Sequence, residues 1–250
     1  MSQPHPRRPR KPRNASRLGL RLGPRRSWCV ALTLALAAAL LTAGCATNTM
    51  LRENGYEAIQ ADDWPAAHTY FARAVRQDPR DGIAHYYLGR CELELGDPLA
   101  AQLALERAYT LKGKDPEFRD RILKHLAQAL YEQGEYEKLN AFLGDVANES
   151  ALTPDHLRHA RYLVLMGDND AAQLAFRKAA FFAPEGDPSA MIDIADFYQS
   201  IGDVPNERLA LRYAYWIDPE APDLGNRLRQ VGVVPGPTAG AEPPRPEMLR

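Results

Sequence analysis

Residues that could bind a metal or attack a substrate are sparse in this chain of 250 residues. His156 and His159 are three apart, so one helix face could carry both as a zinc-ligand pair, but no further ligand accompanies them. Pro154-Asp155 just before them is typical of a helix start, and we interpret both as ordinary, partly exposed histidines. Cys91 is expected to be a small packing residue and not a nucleophile.

Catalytic motifs that would be visible in a sequence are absent. The chain has no Gly-rich phosphate loop with Lys and Ser or Thr, no His-Glu-x-x-His, no paired Cys motif and no Gly-x-Ser-x-Gly. We therefore expect a protein that is not an enzyme and that uses no cofactor and no metal. An enzyme hidden in a helical fold is the remote alternative.

The charge is distributed unevenly along the chain. Of the 31 Lys and Arg residues, nine lie in residues 1–44, which contain no Asp or Glu, so the remaining 22 face all 32 acidic residues. An acidic body repels phosphate backbones, which argues against nucleic acid as a partner. The basic N-terminal region is instead typical of a targeting segment.

An uncharged segment rich in Ala and Leu, residues 27–43, follows the basic region. It ends at Leu41-Thr42-Ala43-Gly44-Cys45, which resembles the lipobox of bacterial lipoproteins. The resemblance implies a signal peptide over residues 1–44, acylation of Cys45 as with palmitate, and a short tether over 45–47. An uncleaved signal anchor is the alternative. Either one delivers the rest across the inner membrane, and Ala46 resembles lipoproteins passed to an outer membrane.

Five similar units follow each other along the rest of the chain. Gly96-Asp97, Gly134-Glu135, Gly167-Asp168 and Gly202-Asp203 are spaced by 38, 33 and 35 residues, and Asp62-Asp63 lies 34 before Gly96. Two core positions recur in the same register: one is Phe71, Leu105, Leu143, Phe176 and Leu211, and the other is Ala74, Ala108, Val146, Ala179 and Ala214.

This pattern resembles the tetratricopeptide repeat family over residues 48–219. The resemblance implies an all-α, right-handed solenoid of about five helical hairpins, with units at about 48–81, 82–115, 120–152, 153–187 and 188–221. We expect an extended loop after the second unit, and splayed helices in the third, where Leu139 and Val146 replace the usual Ala. A capping helix is expected within 222–231, and a disordered Pro-rich tail over 232–250.

Function in this family usually resides on the concave surface, where the first helices of the hairpins line up. Carrying the family's ligand-facing positions onto this chain implies a partner-binding groove of eight residues, five of them cations: Arg52, Tyr56, Tyr86, Arg90, Arg121, Lys124, Gln128 and Arg161. Guanidinium groups suit carboxylates, and tyrosines supply rigid contact area, so an acidic peptide or protein would fit. The alternative is a solvated face, partly paired with Glu94 and Glu132.

These features together predict a scaffold or assembly factor of the bacterial cell envelope. It would be anchored by lipid, face the periplasm and hold a partner protein in its groove. The alternative is a structural envelope protein that self-associates as a homo-oligomer and has no groove ligand.

Overall fold

A computed structural model describes residues 48–243, and every regular element in that range is an α-helix. Residues from Leu51 onward belong to one compact unit, and residues 48–50 are the described end of another. The helices are α1 (48–60), α2 (Trp64–Gln77), α3 (Gly82–Glu94), α4 (Pro98–Lys112), α5 (Pro116–Glu132), α6 (Tyr136–Ser150), α7 (Thr153–Leu165), α8 (Asn169–Phe182), α9 (Ser189–Ser200), α10 (Val204–Ile217) and α11 (Leu224–Gln230). The predicted all-α solenoid of hairpins is confirmed for the described residues.

The repeated Gly-acid pairs form the turn inside the second to fifth hairpins, and Asp62-Asp63 takes their place in the first. Their glycines have φ between 74° and 82°, a conformation that costs glycine little: Gly96, Gly134, Gly167 and Gly202. The acidic residue then caps the second helix by accepting a backbone N–H three residues later, as Asp97 does from Ala100 at 3.0 Å. In the third hairpin the side chain of Glu135 makes no such bond, so α6 begins without a side-chain cap.

Large and small residues alternate at the helix crossings and build the core. The recurring positions of the second helices are fully buried in three of the units: Phe71, Ala74, Leu105, Ala108, Leu211 and Ala214. A Cβ added to Gly89 in α3 would lie 2.6 Å from Leu105 Cγ, and one added to Gly55 in α1 would lie 2.7 Å from the Phe71 ring. The two helices of these hairpins therefore approach as closely as a glycine allows.

The third hairpin departs from its neighbours. Its helices α5 and α6 pack less closely than α3 with α4 or α7 with α8. Leu139 and Val146 are both buried, and the looser packing agrees with the predicted splaying. The prediction of an extended loop was wrong: only residues 113–115 separate α4 from α5, and Asp115 caps α5 by accepting the backbone N–H of Glu117 at 3.2 Å. The extra residues lengthen α5 instead.

A buried carboxylate joins the third and fourth hairpins. The side chain of Asp155, near the start of α7, is 1% exposed and accepts hydrogen bonds from Arg119 at 2.8 Å, Arg158 at 2.7 Å and the Ser150 hydroxyl at 2.6 Å. Burial acts to raise the pKa of Asp155, but the bonds from Arg119 and Ser150 hold it below its ordinary value. Arg158 also pairs with Asp120 of α5. The network therefore ties α5, α6 and α7 together.

The C-terminal residues cover the last hairpin. Leu224 and Leu228 of α11 are buried against Leu211, as expected of a capping helix. Disorder was expected from residue 232, but residues 232–243 lie along α10, where the Arg212 side chain donates to the Ala239 carbonyl at 2.9 Å. Ala239 is 4% exposed. The described part of the tail is therefore packed on the fold.

The predicted signal peptide, its lipobox, Cys45 and the tether lie outside the described residues. Among residues 48–243, no helix combines the length and the apolar character needed to cross a membrane.

Candidate functional site

The first helices of the hairpins, α1, α3, α5, α7 and α9, form one surface, which we call the first-helix face. Side-chain contacts join neighbouring helices across it. The rings of Tyr56 on α1 and Tyr87 on α3 lie 4.7 Å apart between centroids, and Arg121 on α5 donates to the Tyr87 hydroxyl at 2.9 Å. Farther along, Arg161 on α7 pairs with Asp193 on α9.

Tyr87 lies at the centre of an aromatic group on this face. Its ring stacks on that of Phe71, with centroids 5.2 Å apart and an interplanar angle of 15°, and meets the rings of Tyr56 and Tyr86 edge-on. Because Phe71 is fully buried in the core, the stack fixes the orientation of Tyr87. Tyr56 and Tyr87 are both half-buried and therefore keep part of their surface available to a partner.

Two arginines lie over these rings. The guanidinium carbon of Arg90 is 5.8 Å from the centroid of Trp64 and 5.7 Å from that of Tyr87. That of Arg121 is 5.2 Å from the centroids of Tyr86 and Phe118. Cation–π contacts of this kind contribute about 0.5–2 kcal/mol and limit the movement of a long side chain. We call Tyr56, Tyr87, Arg90 and Arg121 the arginine–tyrosine cluster.

The predicted cations differ in how they are neutralised. Arg52 lies 3.4 Å from Asp81, and Arg161 makes a forked pair with both carboxylate oxygens of Asp193 at 2.8 and 2.6 Å. Arg90, Arg121 and Lys124 form no ion pair with any of residues 48–243. The pairing partners are therefore not the expected Glu94 and Glu132, and the unneutralised charge is confined to α3 and α5.

Tyr86 was wrong as a groove residue. It is 1% exposed, because helix α3 turns it towards Phe118 and His125, so it cannot contact a partner. Burial also raises the pKa of Tyr86. The Tyr86 ring instead contacts the guanidinium group of Arg121. His125 lies beside Tyr86, and its Nδ1 donates to the Arg121 carbonyl at 2.7 Å. Burial lowers the pKa of His125.

The other predicted groove residues occupy α5. Lys124 is exposed, one helical turn after Arg121 and therefore on the same side of the helix. Gln128 is half-buried and donates to Glu132 at 2.8 Å, so its amide is already engaged. Lys124 is therefore available to a partner, whereas Gln128 is less accessible and its amide is already hydrogen-bonded.

Sequence reasoning missed Tyr87, Phe118 and Trp64. Tyr87 directly follows Tyr86 in α3, and its aromatic character was the signal that could have identified it. Trp64 and Phe118 lie at the starts of α2 and α5, outside the ligand-facing positions of the repeat. They take part only because Arg90 and Arg121 extend across their rings.

The other candidate residues do not assemble a reactive site. Cys91 is fully buried, and burial raises its pKa to about 12, so the thiolate form is disfavoured. His156 is 2% exposed, and not partly exposed as expected. Within the described range, no group of three or more His, Cys, Asp or Glu side chains is arranged to hold a metal ion.

Comparison with known protein families finds a match over part of the chain. Residues 52–117 match the family model of the tetratricopeptide repeat. A search of curated proteins finds no match. Tetratricopeptide repeats build solenoids whose extended surfaces bind other proteins.

Solved structures share the fold over most of the chain. A tetratricopeptide repeat protein from Parabacteroides merdae has a TM-score of 0.54 at 17% identity, covering 74% of this chain and 72% of that one. A Pseudomonas aeruginosa protein described as pilF has a TM-score of 0.51 at 18% identity, covering 76% and 86%. The MamA protein has a TM-score of 0.50 at 19% identity, covering 70% and 93%. At these identities, the likeness shows the fold alone.

Proposed function

We propose that this chain is a non-catalytic scaffold that binds an acidic segment of a partner protein on its first-helix face. The arginine–tyrosine cluster is the centre of that site, and Lys124 extends it. The observation that carries the proposal is the contrast between two kinds of arginine. Arg52 and Arg161 are neutralised by carboxylates of this chain, whereas Arg90 and Arg121 rest on aromatic rings and form no ion pair with the described residues.

The physical argument rests on preorganisation. An arginine loses side-chain entropy when a partner immobilises it, but Arg90 and Arg121 are already restrained by Trp64, Tyr87 and Phe118. A guanidinium group can then bind a carboxylate with two parallel hydrogen bonds. Tyr56 and Tyr87 add half-buried aromatic surface at the same place. An extended segment with acidic side chains suits such a surface.

Selection of peptides tests the site directly. The full chain, purified in detergent micelles, is used to select from a phage-displayed library of random peptides, and fluorescence anisotropy then measures the affinity of the enriched sequences. We expect enrichment of acidic peptides, and at least about tenfold weaker binding by the Arg90→Gln/Arg121→Gln variant, since two charge-assisted contacts are lost. Arg73→Gln, an exposed arginine on α2, is the matched control and should bind as the wild type does.

Two outcomes would overturn the proposed site. One is the absence of any enriched sequence. The other is enrichment of peptides that bind the double variant and the wild type equally well.

We also propose that the repeats work on the extracytoplasmic side of the membrane, with Cys45 acylated. The support is the lipobox-like sequence at the end of the apolar segment. Metabolic labelling with a palmitate analogue should label the wild type and not Cys45→Ser, and globomycin should block processing of the wild type. Labelling that persists in Cys45→Ser would contradict acylation at this position.

Self-association is the second candidate. Leu99 and Leu103 lie one turn apart on α4 and are 59% and 61% exposed, and Leu95 beside them is 46% exposed. Such a patch can drive pairing of two copies. Light scattering of the full chain would show a dimer that Leu99→Glu/Leu103→Glu converts to a monomer. A monomeric wild type excludes this candidate.

A further inference from the structure

A cavity of about 500 Å³ opens between α6, α7 and α8, away from the arginine–tyrosine cluster on α1, α3 and α5. Its walls are mainly apolar, formed by Leu174, Phe181 and Phe182 of α8. Leu174 is 56% exposed and Phe182 is 38% exposed, which leaves large apolar side chains facing water. A volume of this size lies within the range of about 300–1,000 Å³ in which proteins bind small molecules.

The polar groups of the cavity are few and have one sign of charge. Arg177 and Lys178 line it, both exposed, together with Asn148 of α6 and His156 of α7. None of the described residues that line it is acidic. Lys178 donates one hydrogen bond to Asn148 at 3.2 Å and has two further donors. Two cations beside an apolar wall are complementary to an anion that carries an apolar body.

His156 adds an unmet polar group at the same place. Its ring stacks on Phe182 with centroids 5.1 Å apart and an interplanar angle of 2°. Its Nε2 is buried and has no hydrogen-bond partner among the described residues. Burial, together with the nearby Lys178, lowers the pKa of His156. A buried nitrogen without a partner is costly, and an atom of a ligand would remove that cost.

A second cavity shares part of this lining. A smaller cavity of about 110 Å³, lined by Asn140, His159 and Leu163, shares Asn148, His156, Leu174 and Lys178 with the larger one. The two cavities therefore adjoin, and together they offer a ligand more volume than the larger one alone.

We propose that this cavity binds a small carboxylate with an aromatic or branched aliphatic body. The body lies against Leu174, Phe181 and Phe182, and the carboxylate accepts hydrogen bonds from Arg177 and Lys178. The site is separate from the proposed protein-binding site, because most of its lining residues lie on the second helices α6 and α8 and none belongs to the arginine–tyrosine cluster.

Calorimetric titration of the full chain with phenylbutyrate, and with its neutral counterpart phenylbutanol, tests the site. We expect saturable binding of phenylbutyrate and at least about tenfold weaker binding of phenylbutanol, because the charge-assisted hydrogen bonds are absent. Arg177→Gln and Lys178→Gln should each weaken phenylbutyrate by about tenfold. Arg107→Gln, at the equivalent position to Lys178 in the second hairpin, should change nothing.

Three results would overturn the proposal. They are the absence of saturable phenylbutyrate binding, equal affinity for the acid and the alcohol, and full binding by both Arg177→Gln and Lys178→Gln. Arg177 and Lys178 are both exposed, so we expect the two variants to fold as the wild type does. Far-ultraviolet circular dichroism of each variant checks this.

Discussion

Replacement of Asp155 by Asn should destabilise the protein strongly, although the two side chains have nearly the same shape. The Asp155 carboxylate is 1% exposed and receives hydrogen bonds from Arg119, Arg158 and Ser150. Asn keeps one acceptor oxygen but removes the charge, so Arg119, which is 21% exposed, loses its anion, and Arg158, which is 12% exposed, keeps only its pair with Asp120. Water can replace little of what is lost.

The magnitude follows from burial. Breaking a buried ion pair by changing one partner costs about 3–5 kcal/mol. Because Asn keeps one acceptor and both arginines retain some exposure, we expect a loss near the lower end, about 3 kcal/mol. For a domain of this size, that corresponds to a fall in Tm of roughly 6–12 °C.

Urea unfolding at several pH values measures the effect and its cause. The bonds of Asp155 lower its pKa in the folded state, so their stabilisation is present above the pKa of the unfolded chain and is lost as pH falls through the folded value. The difference between wild type and Asp155→Asn should therefore be largest at pH 7 and shrink below about pH 4. The matched control is Glu106→Gln, whose exposed pair with Lys138 should contribute less than about 1 kcal/mol. A loss no larger than in the control, or one independent of pH, would refute the reasoning.

Three further predictions concern stability and can be measured by chemical denaturation. Gly89→Ala should lower the free energy of unfolding by about 1–3 kcal/mol, because the new Cβ overpacks the helix crossing. Gly144→Ala should raise it by up to about 1 kcal/mol, because its new Cβ meets only the His159 ring, at 3.4 Å. Equal effects of the two substitutions would contradict the close crossing at Gly89. Ala151→Gly should raise the free energy of unfolding by about 1 kcal/mol, because Ala151 ends α6 at φ 52°, a left-handed conformation that glycine adopts more readily than alanine. A lower free energy of unfolding would contradict this. Burial raises the pKa of Glu92 to about 7, so its ionised form is disfavoured in the fold and stability falls as pH rises from about 4.5 to 7. Glu92→Gln should therefore stabilise the protein by at least about 1 kcal/mol at pH 8 and by less at pH 5, and an equal effect at both pH values would count against it.

Much of the fold could be predicted because its determinants are local. A Gly-acid pair favours a left-handed glycine and a helix start within a few residues, so its spacing locates four of the five hairpins. The misjudged extended loop has a local cause as well, since Asp115 and Pro116 are a start signal for α5. The packed tail depends on Arg212 and Ala239, which are far apart in sequence, and no pattern of composition could reveal it.

The candidate site could be predicted only in part. Family positions correctly placed Arg90, Arg121 and Lys124 on the first-helix face, because helix period alone decides which residues share a side. They could not show that Arg161 is neutralised, since Asp193 lies on the next first helix, 32 residues away. The distinction between neighbouring Tyr86 and Tyr87 depends on the rotation of α3 in its packed position, which the repeat pattern does not specify closely enough.

Site-specific photo-crosslinking in intact cells tests the central claim most directly. Lys124 is exposed beside Arg121, so a photoreactive phenylalanine derivative can replace it without disturbing the arginine–tyrosine cluster. Our account predicts an adduct with another protein that disappears in the Arg90→Gln/Arg121→Gln variant and persists in Arg73→Gln. An adduct that survives in the double variant, or one formed only with a second copy of this chain, would contradict it.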